Sequence, residues 1–159
     1  MDTVIERIET AEPELAAFLL AHHEDMAGTA PPESQHALPF ERLLTPGVRL
    51  FATLEGRRPI ATGALAAVED GHEELKSMRT DPAQRGRGLA RAMLEFLIAD
   101  AVARGIRRIS LETGSMDFFL PARRLYAGAG FEECEAFGRY LPDPLSTFMT
   151  LSLDDTAVA

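Results

Sequence analysis

The stretch from Asp81 to Ala103 holds the residues best suited to chemistry. It reads Asp81-Pro82-Ala83-Gln84, then Arg85-Gly86-Arg87-Gly88-Leu89-Ala90, then a long run with helical apolar spacing. Two glycines at such a junction let the backbone turn tightly and approach a ligand. The first N–H groups of a helix starting here have no partner within it, and they face outward with the positive end of the helix dipole. That makes an anion site, most naturally for phosphate. The local charge agrees. From Lys76 to Arg91, Lys76, Arg79, Arg85, Arg87 and Arg91 stand against Asp81 alone, a net +4 inside a chain of net charge -9. A basic island in an acidic chain is not background.

Two common phosphate motifs fit poorly. A Walker A loop ends in Gly-Lys-Ser/Thr, and the chain has no such tripeptide. A dinucleotide fingerprint needs a third glycine where Arg91 stands, and it belongs early in an alternating strand-helix repeat. Other reactive residue types carry less. His22-His23-Glu24-Asp25 resembles a metal cluster only at a glance. Adjacent histidines on a helix point about 100° apart and rarely share one ion. They read as a polar helix end, and no metal site is expected. Cys134 has no nearby histidine and reads as a buried or incidental thiol.

The elements that must position the loop follow from periodicity. Val4 to Ile8 reads as a first strand. Leu15, Phe18, Leu19 and His22 share one face of a helix beginning near Pro13. Ser34 to Leu44 reads as a second, short helix interrupted by Pro39, with Pro46-Gly47 turning after it. Val48 to Leu54, Ile60 to Val68 and Glu74 to Thr80 read as three strands, with a strong hairpin signal at Asp70-Gly71. Leu89, Ala90, Met93, Leu94, Leu97, Ile98, Ala101 and Val102 form one apolar stripe over more than three turns, and Gly105 stops it. Ile106 to Glu112 is a strand. Pro121, Ala122, Leu125, Tyr126 and Ala129 make a helix ended by Gly130. A short strand starts at Phe131, and Phe148 to Leu153 is the last. The predicted order is strand, two helices, three strands, helix, strand, helix, two strands, a mixed α/β domain.

Composition bounds the function. At 159 residues the chain matches a prior of roughly 150 per domain. It reads as one domain over residues 1–153, with 154–159 a frayed tail. Hydrophobic residues are 46% and charged residues 26%, so disorder is excluded and a core needs no disulfide or metal. The acidic balance argues against nucleic acid and anionic membrane as partners. The single cysteine excludes an internal disulfide and fits a reducing compartment. The N-terminus shows no signal-peptide pattern and no stretch is long and apolar enough to span a membrane, so a cytoplasmic location is expected.

Arg85-x-x-Gly88-x-Ala90 resembles the acyl-CoA signature of the GNAT superfamily of N-acyltransferases. Four features match it in order. Glu74 to Thr80 followed by Asp81-Pro82 resembles that superfamily's fourth strand, and the long helix is its next element. Ile109 to Thr113 resembles its fifth strand. Ala122-Arg123-Arg124-Leu125-Tyr126 with Gly130-Phe131 resembles the helix carrying its acid tyrosine. The firm match runs from Glu73 to Glu133. Leu111-Glu112-Thr113-Gly114 and Pro144 to Met149 are similar to a bacterial subgroup labelled indole-acetic-acid acetyltransferase-like. The resemblance implies the GNAT fold, an α/β domain with a mixed sheet of about six to seven strands flanked by about four helices.

The resemblance also implies acetyl-CoA as co-substrate and direct attack by a primary amine of a small molecule or amino acid in a ternary complex. Protein or peptide amines, or acyl-CoA sensing without turnover, are the alternatives. An alkyl amine of pKa about 10.4 is neutral in roughly one molecule in 2,500 at pH 7, which costs roughly 4–5 kcal/mol. A carboxylate could take that proton, directly or through water. Glu74 is the first candidate and Glu112, beside the acceptor, the second. A backbone N–H of Met78, Arg79 or Thr80 would face the acyl oxygen. Tyr126 would hydrogen-bond or protonate the leaving sulfur. CoA would be held by Arg85, Gly86, Arg87, Gly88, Leu89 and Ala90, with Thr113 and Arg123 beside them. His36 lies in the segment expected to line the acceptor side. Homodimers are common in that superfamily, and the sequence does not decide the point.

Overall fold

Alternation of small and apolar residues along the middle of the chain makes a sheet, and the apolar stripe after Gly88 makes the helix that covers it. A computed structural model describes residues 2–10, 12–26 and 40–153. In chain order the elements are β1 (Thr3–Ile8), α1 (Pro13–Met26), α2 (Phe40–Leu43), β2 (Val48–Glu55), β3 (Arg58–Glu69), β4 (His72–Thr80), α3 (Leu89–Ala103), β5 (Arg108–Gly114), α4 (Leu120–Gly128), β6 (Glu132–Cys134) and β7 (Ser146–Ser152). Short 3-10 turns at Pro82–Gln84 and Asp117–Phe119 precede α3 and α4. The seven strands form one sheet in the order β1-β2-β3-β4-β5-β7-β6. Every neighbouring pair is antiparallel except β4 and β5, which are parallel.

The expected element order holds. The expected four helices do not. Among the described residues three helices of nine residues or more flank the sheet, and α2 is a single turn. Of the predicted helix from Ser34 to Leu44, only Phe40–Leu43 is a described helical turn, and Pro46-Gly47 ends it on the C-terminal side. The expected frayed tail, His36, and the side chains of His22, His23, Glu24 and Asp25 lie outside the described residues.

Helices cover both faces. On one face, Leu15 and Leu19 of α1 and Leu43 of α2 pack on Val48, Leu50, Ala52 and Ala64. On the other, Met93, Leu94, Leu97 and Ala101 of α3 and Tyr126 of α4 pack on Leu65, Leu75, Ile109 and Leu111. The predicted stripe is therefore the buried face of α3. Gly63 is what lets α3 come close. A Cβ there would stand 2.7 Å from Met93, 2.8 Å from Leu97 and 2.9 Å from Met78 side-chain atoms.

The end of α3 is tied down by charge. Arg49 on β2 donates to both oxygens of Asp100, at 3.0 and 2.8 Å. Arg104 donates to Asp100 at 3.0 Å and to both oxygens of Glu73 on β4 at 2.9 and 2.7 Å. Burial pushes the Asp100 carboxyl up, but Arg49 and Arg104 outweigh it and hold it below the usual carboxylate range. A carboxyl depressed in the folded state stabilises above its unfolded pKa, and that contribution is lost as pH falls through the folded value. Asp100→Asn is expected to lower the urea midpoint at pH 7, and the gap to the parent protein should begin to narrow below about pH 4 and close as pH falls through the depressed folded value. A gap that stays constant with pH would remove the charge from the explanation.

Candidate active site

β4 and β5 pair over three residues only, His72, Glu73 and Glu74 against Arg108, Ile109 and Ser110, and then part. The last paired step is stitched by side chains. His72 Nε2 and Ser110 Oγ are 2.7 Å apart, and Ser110 Oγ and Thr150 Oγ1 on β7 are 2.9 Å apart. Beyond it, the side of β4 that faces β5 has no strand opposite. In the same stretch β4 bulges. Ala64 pairs with Lys76 and Thr62 with Arg79, so Ser77 and Met78 together oppose Gly63. Ser77 sits at φ +55°, a strained value for a residue with a side chain, and its carbonyl accepts from Thr62 Oγ1 at 2.8 Å. Met78, Arg79 and Thr80, the residues expected to face the acyl oxygen, follow directly in the open part of β4.

The glycine loop stands at the far end of this opening. Asp81 starts it: its carboxylate accepts from the Ala83 N–H at 3.0 Å and from Arg58 at 3.0 Å. Those contacts, the Ala83 N–H foremost, hold its carboxyl below the usual range. Gly86 and Gly88 adopt φ +83° and +76°, and Gly88 is the N-cap of α3 with no side-chain cap. A Cβ at either glycine would meet nothing within 4 Å, so backbone conformation, not crowding, requires glycine here. The first intrahelical bond at this end is Ala92 N to Gly88 O at 3.0 Å, which leaves the N–H groups of Leu89, Ala90 and Arg91 for another acceptor. Open space above uncapped N–H groups fits a pyrophosphate.

The basic residues of the loop divide. Arg85 is exposed and makes no hydrogen bond or ion pair among the described residues. Arg87 is held by Gln84 at 2.6 Å and by Glu55 on β2 at 2.9 Å. Arg123, on α4, donates to the backbone carbonyls of Gly114 at 2.5 Å and Met116 at 3.0 Å, so its guanidinium fastens the end of β5. Thr113 is half-buried on β5, opposite Thr147.

Tyr126 and Glu74 stand on opposite faces of the sheet. Tyr126 is 7% exposed and packs in the α3 face with Leu75 and Leu111. Its ring centroid is 5.9 Å from that of Phe131, and its hydroxyl makes no hydrogen bond among the described residues. Burial pushes the phenol up, so it stays protonated and can donate. Glu73 turns toward α3 and Arg104, which leaves Glu74 on the α1 face.

There Glu74 meets residues that sequence reasoning did not assign. Its Oε2 accepts from the hydroxyl of Tyr140, in a short hydrogen bond, and from Lys76 Nζ at 3.1 Å. Lys76 Nζ also donates to the Tyr140 oxygen at 3.0 Å. Burial, then the charge of Glu74 and its hydrogen bond, push the Tyr140 phenol up, and Glu112 adds to the shift. Glu112 shares this face and accepts from Ser146 Oγ at 2.8 Å. Tyr140 lies between β6 and β7 and packs against Phe137 and Phe148, with centroids at 5.2 and 5.5 Å. One signal was available: the chain has only two tyrosines, and Tyr140 is the one that reaches Glu74. Alternation also places Lys76 on the face of Glu74. Cys134 is half-exposed on β6, and burial pushes its thiol up, which suits an inert thiol.

Comparison with known proteins agrees with this geometry. The model of the Acetyltransferase (GNAT) family matches residues 14–131. The uncharacterized N-acetyltransferase YsnE of Bacillus subtilis (strain 168) is 41% identical over 140 residues, 88% of this chain and 93% of that protein. An IAA acetyltransferase of Azospirillum brasilense is 37% identical over 120 residues, 75% of this chain and 77% of that protein. Among solved structures, a candidate acyl-CoA N-acyltransferase of Klebsiella pneumoniae superposes with TM-score 0.75 at 30% identity, covering 95% of this chain and 97% of that one.

The loop geometry sets an order among variants. Gly88→Val, forced toward a positive φ, is expected to weaken acetyl-CoA at least about tenfold in calorimetric titration. Arg85→Ala should weaken it by more than Arg87→Ala, because Glu55 and Gln84 already hold Arg87. Equal losses for the two arginines would show that Arg87 leaves those partners to bind.

Proposed function

Because the chain belongs to the GNAT acetyltransferase family, we propose that it transfers an acetyl group from acetyl-CoA to a primary amine of a small molecule or amino acid, by direct attack in a ternary complex. The observation that carries this reading is the opening between β4 and β5. The glycine loop stands at one end of it, and Tyr126 and Glu74 lie on opposite faces of the sheet. The small acceptor draws support from the Azospirillum relative named as an IAA acetyltransferase.

Acetyl-CoA supplies the activated acetyl thioester. The uncapped N–H groups at the start of α3, with Arg85, bind the pyrophosphate. A backbone N–H among Met78, Arg79 and Thr80 stabilises negative charge as it develops on the acyl oxygen. Glu74 accepts the proton that the ammonium must lose, with Glu112 as the second carboxylate on that face. Tyr126 donates a hydrogen bond to the leaving sulfur. Full proton transfer from it would run uphill, since a thiol titrates near about 8.5 and burial pushes this phenol the other way. Hydrogen bonding is therefore the role its surroundings support.

The first test is calorimetric titration with acetyl-CoA, with NADH and ATP as controls. Saturable binding of acetyl-CoA alone is expected, and its absence would end the transferase reading. With an accepted amine, Tyr126→Phe should lower kcat about tenfold or more and leave the acetyl-CoA affinity unchanged. Glu74→Gln should lower kcat/KM about a hundredfold at pH 7. That loss should shrink as pH approaches about 10, where the amine sheds its proton unaided. A Glu74→Gln deficit that is constant across pH would move the base elsewhere.

A further inference from the structure

A glutamate is a long, rotatable side chain, and a base works only if its oxygen is held within about 0.5 Å of one place. Strand β4 fixes the backbone of Glu74 but leaves its side-chain torsions to be settled by partners. Two donors settle them. Lys76 Nζ donates to Glu74 Oε2 at 3.1 Å, and the hydroxyl of Tyr140 donates to the same oxygen. Lys76 Nζ also donates to the Tyr140 oxygen at 3.0 Å, so the three side chains close a triangle in which each touches the other two. Lys76 and Glu74 are only 10% and 12% exposed, which limits the water that could compete for these bonds. Both bonds end on Oε2. Oε1 accepts none among the described residues.

The two donors are not equivalent. Lys76 shares β4 with Glu74 and travels with it. Tyr140 comes from 66 residues further along the chain, so it registers the carboxylate against a different part of the fold. Its ring packs against those of Phe137 and Phe148, with centroids at 5.2 and 5.5 Å. Phe148 lies on β7 opposite Glu112 of β5, and the Tyr140 N–H donates to the Phe137 carbonyl at 3.0 Å. A phenol has one proton to give, and here Glu74 receives it. Burial, the Glu74 charge and its hydrogen bond, and the charge of Glu112 all push the phenol up, so Tyr140 stays a donor. We infer that Tyr140 is a positioning residue for acetyl transfer: it holds Glu74 by Oε2, so that Oε1 is the oxygen presented to the amine. This rests on the reading of Glu74 as the base of that reaction.

One arm of the test needs no acceptor. The chain has no tryptophan and two tyrosines, so in a Tyr126→Phe background the tyrosine emission is that of Tyr140 alone. A phenol that donates to a carboxylate emits weakly, because the excited phenol passes its proton across. Glu74→Gln in that background should raise the emission, and unchanged emission would overturn the inference. The other arm is a double-mutant cycle on turnover, followed by release of free CoA thiol with leucine, lysine, phenethylamine and spermidine as acceptors. Tyr140→Phe keeps the aromatic packing and removes only the hydroxyl. It should lower kcat at least about tenfold, while the acetyl-CoA affinity stays within about twofold of the parent protein. In a Glu74→Gln background the same substitution should cost less than about twofold in kcat, since no base is left to position. Equal losses in both backgrounds would make Tyr140 a packing residue and overturn the inference, as would parental turnover by Tyr140→Phe. Absence of acetyl-CoA binding, or of turnover across the whole panel, would remove the reading on which this one rests and this one with it. Turnover with additive losses would strike only the role of Tyr140.

Discussion

Three residue pairs hold β4 to β5, and the rest of the site exists because a fourth does not form. Backbone N–H and C=O groups on the parted edges must find partners, and a folded chain rarely leaves them wanting. The parting is therefore a standing demand for a ligand with polar groups along its length. It persists because the apex is fastened on both faces. His72, Ser110 and Thr150 join β4, β5 and β7 on the α1 face. One residue on, Glu73 is gripped by Arg104 from α3. The next residue, Glu74, is the first whose side chain is turned to the opening.

Strand alternation then sorts the chemistry. Glu73 and Leu75 face α3, while Glu74 and Lys76 face α1. The bulge at Ser77 and Met78 resets that phase. Met78 packs among the α3-face residues, and Arg79 returns to the face of Lys76, opposite Thr62. A single extra residue thus keeps an apolar side chain in the core, a cation on the α1 face, and the backbone between them in the open stretch.

What could be read from sequence was local. The α3 stripe, the glycine loop and the strand order each depend on residues within a few positions, and each appears as expected. Side-chain partners are set at longer range. Arg87 stands in the loop, but its guanidinium goes to Glu55, 32 residues away. Arg123 lies near Tyr126 in sequence, and its guanidinium binds chain carbonyls at the end of β5. The Glu74 to Tyr140 contact spans 66 residues and is closed by an irregular segment between β6 and β7, where no periodicity announces which side chain turns inward. Of the second predicted helix only the turn at Phe40–Leu43 is described, and Pro46-Gly47 ends it before β2.

The glycine loop follows β4 directly, so the loop and Glu74 are joined by the strand itself. From Glu74 to Thr80 is about 20 Å at roughly 3.3 Å per residue, and β3 pairs along that length at both ends of the bulge. On the proposed function, a donor anchored by its phosphates at the loop would have to reach back along a rod of fixed length to meet an amine near the apex. Donor choice then becomes a matter of reach: a short activated acetyl compound would dock its phosphate well away from the acceptor, and a longer arm would overshoot or fold.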